Sequence, residues 1–127
     1  MPRPRPWIVV ADDDPAIRRL WMTALRQAGY RPIEATTGRE VLELMRAVLP
    51  ELVVLDLRMP ELTGQEVLTA LRHSPTLSHT PVLVVSGHLD DIVGRDLGLN
   101  IVARLAKPLD VATFLRAVER ALTAPRS

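Results

Sequence analysis

The chain has 127 residues, 47% of them apolar and 24% charged, with no cysteine and a formal charge of +1. That length fits one domain, and the balance is that of a globular chain, not a disordered one. A disulfide framework and any thiolate metal site are excluded, and the near-neutral charge gives no electrostatic reason to expect nucleic acid as a partner.

The opening residues, 1–6, are a proline- and arginine-bearing tail, and residues 125–127 form a second one, so the domain is expected over 7–124. Neither a signal peptide nor a membrane span can be read at the start, and a cytoplasmic location with no membrane partner is the default expectation. The first apolar run, Trp7-Ile8-Val9-Val10-Ala11, is continuous and β-branched, as in a strand covered on both faces. Asp14-Pro15 then reads as a helix cap with proline at the first helical position. Ile17, Leu20, Trp21, Ala24, Leu25 and Ala28 fall on one helical face, and Gly29 stands at the end.

Residues 30–35 alternate weakly and contain Pro32, which confines them to an edge strand. Thr37-Gly38-Arg39-Glu40 is a capping box opening the stripe Val41, Leu44, Met45, Val48. Leu52-Val53-Val54-Leu55 is a second buried strand, and Thr63-Gly64-Gln65-Glu66 caps the stripe Val67, Leu68, Leu71. Val82-Leu83-Val84-Val85 is a third buried strand, the fourth strand in all. A poorer helix comes next over 90–99, where Gly94 and Gly98 each cost about 1 kcal/mol relative to alanine. Residues 101–106 form the last strand, interrupted by Arg104. Asp110 caps a final helix carrying Val111, Phe114, Leu115, Val118, Ala121 and Leu122.

Five β-α units predict an α/β fold: a doubly wound, five-stranded parallel sheet with five helices on both faces and the flavodoxin-like order 2-1-3-4-5. Ligands of such folds bind at the carboxyl ends of the strands. At those ends the apolar runs give way to Asp12-Asp13-Asp14, Asp56, Ser86-Gly87 and Lys107-Pro108. Clustered carboxylates repel unless a cation holds them ionised, and Mg²⁺ is the hard cation that one or two carboxylates usually hold beside phosphate oxygens. An ammonium and a hydroxyl facing that ion suit a phosphoryl group, and a carboxylate can be its acceptor. Lys107 is the chain's only lysine, against fifteen arginines.

Asp12-Asp13, Leu55-Asp56-Leu57-Arg58-Met59-Pro60 with Gly64, Val85-Ser86-Gly87 and Lys107-Pro108 together resemble the receiver domain of two-component response regulators, over nearly the whole chain. The resemblance implies Asp56 as phosphoacceptor for a histidine kinase or phosphotransfer protein. It implies Mg²⁺ on Asp12, Asp13, Asp56 and the Arg58 backbone carbonyl. Ser86 and Lys107 would contact the phosphoryl oxygens, and the Lys107–Pro108 bond would be cis. Such a domain assists its own phosphorylation and dephosphorylation and is not an enzyme in the usual sense. A monomer or weak homodimer with an unspecified downstream protein partner is expected.

Arg58 and His88 fall on the rim of this site and are expected to tune how long the phosphoryl group lasts. Arg104 departs from the family, which usually carries Tyr or Phe three residues before the lysine; a guanidinium resists the burial that such a ring undergoes. That departure supports the alternative of a receiver-like interaction module independent of phosphorylation. A flavin or nucleotide site is excluded, because Asp12-Asp13-Asp14 replaces the phosphate-cradling loop such a site needs.

Overall fold

The computed structural model describes residues 5–87 and 100–123. Within them lie five strands: β1 (Trp7–Ala11), β2 (Arg31–Ala35), β3 (Leu52–Leu55), β4 (Val82–Ser86) and β5 (Ile101–Ala106). The four helices are α1 (Pro15–Gln27), α2 (Gly38–Val48), α3 (Gly64–Arg72) and α4 (Val111–Thr123). All strand pairs are parallel, in the order β2-β1-β3-β4-β5. This is the expected flavodoxin-like sheet, with Pro32 on a strand that, among the described residues, lies at the edge and pairs with β1. The expected helix over 90–99, the fifth of the set, lies outside the described residues, as does His88.

Alternate residues of β1, β3 and β4 feed two separate apolar layers, because successive side chains point to opposite faces. Val9, Ala11, Val53, Leu55, Val82 and Val84 meet Val41, Met45, Val67, Leu68 and Leu71 of α2 and α3. Ile8, Val10, Leu52, Val54, Leu83 and Val85 meet Trp21, Leu25, Phe114 and Val118 of α1 and α4. Burial on both sides is why these strands read as unbroken apolar runs. In β5 the alternation slips: Val82 pairs with Ile101 but Leu83 pairs with Ala103, so Val102 is an extra residue. Val102 and Ala103 both pack toward the α1/α4 layer as a result.

The α1 stripe differs from expectation in rotation. Trp21 stacks on Phe114 with ring centroids 4.2 Å apart, and Met22 is buried beside them while Leu20 is 46% exposed. Residues two apart lie on opposite sides of a helix, so turning Met22 inward turns Leu20 outward. In α2 the same kind of turn buries Leu42 and leaves Leu44 half-buried.

The caps follow the sequence closely. Asp14 accepts from the N–H groups of Ala16 and Ile17. Past α1, Gly29 at φ +95° lets its own N–H reach the Arg26 carbonyl and the Tyr30 N–H reach that of Leu25, a Schellman ending. Thr63 and Glu66 make the full reciprocal box on α3. The box expected at Thr37 is half formed: Thr37 accepts from the Glu40 N–H, but the Glu40 carboxylate takes the Thr36 hydroxyl instead.

Candidate functional site

The ladder continues past the strand ends and aligns the polar residues there. Asp56 N–H donates to the Ala11 carbonyl at 2.9 Å, which sets Asp56 beside Asp12. Lys107 N–H donates to the Ser86 carbonyl at 3.1 Å, and the Lys107–Pro108 peptide is cis. Asp12 and Asp56 are 2% and 5% exposed and Ser86 is fully buried, while Asp13 is exposed. These three are the only buried polar residues among those described.

Lys107 extends past the end of β4 to reach the carboxylates that follow β3 and β1. Its Nζ donates to Asp12 Oδ2 at 2.6 Å and to Asp56 Oδ2 at 3.1 Å. Asp12 Oδ1 accepts the Asp14 N–H at 3.0 Å, and Asp56 Oδ1 accepts the Arg58 N–H at 3.3 Å. Burial pushes the Asp12 carboxyl above its ordinary value, against the lowering pull of Lys107 and of the Asp14 N–H. Burial also works against the Lys107 ammonium, but the hydrogen bond to Asp12 and the charges of Asp56 and Asp12 outweigh it and raise its pKa. The lysine is therefore held as a cation between two carboxylates.

Asp12, Asp13 and Asp56 each offer a carboxylate oxygen, and the three oxygens lie within 4.8 Å of one another. Three hard oxygen donors so close, with no nitrogen or sulfur ligand among them, fit Mg²⁺ by the chemistry of the set. Gly64 keeps the loop after Asp56 in place. Its N–H donates to the Leu57 carbonyl at 2.8 Å, and a Cβ there would stand 2.5 Å from Leu57 Cα and 2.6 Å from the Asp56 carbonyl oxygen. Only glycine lets α3 begin that close to Asp56.

Asp12, Asp13, Asp56, Ser86 and Lys107 thus stand at one end of the sheet, as the sequence led one to expect. The Arg58 side chain is exposed two residues after Asp56. Arg104 is exposed on β5, in register with Val84, as its charge dictates. One residue that touches this loop was not read from the sequence: Arg18, whose Nη1 donates to the Asp12 carbonyl at 2.8 Å. Its position one helical turn after the Asp14 cap was the available signal.

Residues 8–119 match the response regulator receiver domain family, and the chain belongs to it: this is a receiver domain of two-component signalling. Protein Rrf1 of Nitratidesulfovibrio vulgaris (strain Hildenborough) is 34% identical over 116 residues, covering 91% of this chain and 81% of that protein. The probable transcriptional regulator ycf27 of Porphyra purpurea is 36% identical over 118 residues, covering 89% of this chain, which spans 47% of that relative's length. Among solved structures, the chemotaxis response regulator CheY4 of Vibrio cholerae superimposes with a TM-score of 0.83 at 27% identity, covering 94% of this chain and 100% of that one. No described helix is long and apolar enough to cross a membrane.

Proposed function

We propose that the domain accepts a phosphoryl group on Asp56 from a histidine kinase or phosphotransfer protein, in a Mg²⁺-dependent step, and signals by changing which protein it binds. The observation that carries this reading is the Lys107 ammonium, shared between the buried carboxylates of Asp12 and Asp56 at the mouth of the sheet. Asp12, Asp13, Asp56 and the Arg58 carbonyl are the groups that would hold Mg²⁺, which when bound neutralises charge on the transferring phosphoryl oxygens.

An Asp56 carboxylate oxygen forms the new O–P bond as the P–N bond of the donor phosphohistidine breaks. The electron pair returns to the imidazole, which takes up a proton. Lys107 then exchanges a carboxylate for a phosphoryl oxygen, keeping its charge paired in the half-buried site. The Ser86 hydroxyl, on the strand between Asp56 and Lys107, would donate to another phosphoryl oxygen. That rearrangement gives one surface two states, and the partner binds one of them more tightly.

The test is intact-mass spectrometry after incubation with Mg²⁺ and a small acyl-phosphate donor. The parent gains the mass of one phosphoryl group and Asp56→Asn gains none. An equal gain by both proteins puts the acceptor elsewhere. No gain by a folded, Mg²⁺-binding parent leaves an interaction module that works without phosphorylation.

A further inference from the structure

We infer that Arg18, itself held by Glu34, is a positioning residue for the acidic pair at the end of β1. The side chain of Arg18 leaves the first turn of α1 and is 14% exposed. It makes two directed contacts: Nη1 donates to the Asp12 carbonyl at 2.8 Å, and Nε donates to Glu34 Oε2 at 2.9 Å. Glu34 belongs to edge strand β2, in register with Val10 of β1. The guanidinium thus ties the edge strand to the point where the chain turns out of the sheet carrying Asp12 and Asp13.

The other bonds of that turn are local or act on the carboxylate. Asp14 N–H closes on Asp12 Oδ1, and Arg18 N–H closes on the Asp14 carbonyl within the helix. Lys107 pulls on Asp12 Oδ2 from the far side of the sheet. Arg18 Nη1 is the side-chain donor that fixes the Asp12 main chain, and so the origin from which both carboxylates project. A planar fork with two N–H groups in fixed directions can bridge a carbonyl and a carboxylate; a lysine point charge cannot hold both in that geometry.

The charge on Arg18 makes the idea testable by sign. A cation near a cation site weakens metal binding by repulsion, so if charge were its whole influence, removing it would tighten Mg²⁺ binding. If Arg18 positions the ligands, removing it loosens binding, as loss of an outer-shell partner does elsewhere. The inference rests on the proposed Mg²⁺ site, and the experiment separates the two.

The measurement is a calorimetric titration of the whole chain with MgCl₂ alone, paired with thermal unfolding in its absence. Arg18→Met is expected to weaken Mg²⁺ affinity about tenfold, and Arg18→Lys to recover little of it. Adding Glu34→Ala to Arg18→Met should change little further, because the two side chains act as one unit. Unchanged or tighter binding by a folded Arg18→Met overturns the inference while the metal reading stands, even if its melting temperature falls. A parent that takes no Mg²⁺ overturns both. Should Arg18→Met fail to fold, Glu34→Ala carries the test, since Glu34 is 56% exposed. At high ionic strength, where its own lost charge is screened, it should still bind Mg²⁺ several-fold more weakly than the parent, and equal affinity overturns the inference.

Discussion

At the scale of single residues, the strongest constraint is the sharing of one ammonium by two buried carboxylates. Removing one partner of such a set leaves charge buried without compensation, which costs about 3–5 kcal/mol when burial is complete. Lys107 is 17% exposed, so Lys107→Met is expected to lose less, about 2–3 kcal/mol, in denaturant unfolding without Mg²⁺. Excess Mg²⁺ should recover more stability in that variant than in the parent, because carboxylates freed of the competing ammonium bind the ion more tightly and a native-state ligand stabilises more the tighter it binds. An equal gain in both proteins would mean that the two carboxylates do not feel the missing charge. Asp12, Asp56, Ser86 and Lys107 were legible because each stands where an apolar run stops. Arg18 was not, since its place one helical turn after the Asp14 cap does not show that the fold brings Glu34 and the Asp12 carbonyl to it.

Elements begin and end where local chemistry tells them to, and α4 shows how far that can be taken. Asp110 Oδ1 accepts the Thr113 N–H at 2.7 Å, an N-cap read from the sequence. That hydrogen bond, with a further one from the Thr113 side chain, holds the Asp110 carboxyl below its ordinary value of 3.8. A carboxyl with a depressed folded pKa contributes stability that is complete above the unfolded value and is lost as pH falls through the folded one. Asp110→Ala should therefore unfold at lower denaturant than the parent at pH 7, and the gap should narrow below pH 3.8. A gap that is constant with pH would assign the cost to helix propensity alone. What the sequence did not reveal at this scale has tertiary causes. The half-formed box at Thr37 depends on a competing hydroxyl one residue earlier. The rotation of α1 depends on a ring from α4, 93 residues away in sequence (114 − 21), and the bulge in β5 depends on the register of β4.

Over the whole molecule, the sheet order was legible because continuous apolar strands alternating with amphipathic helices leave few right-handed arrangements. Among the described residues the buried core falls into two clusters, one on each face of the sheet. Phe114 is fully buried in one of them and stacked on Trp21. Phe114→Ala should cost about 3–5 kcal/mol, and the near-ultraviolet circular dichroism of Trp21 should weaken under conditions where the variant remains folded. An unaltered signal would mean that the ring of Trp21 is fixed by its other neighbours. Lys107 matters to the chain as a whole as well as to its site. The protein has a single side-chain amine, and that amine lies inside the candidate site. An acylating reagent therefore finds one side chain to mark, and the rate of marking reports how firmly the carboxylates grip it. The molecule comes with its own reporter group, built in without a label.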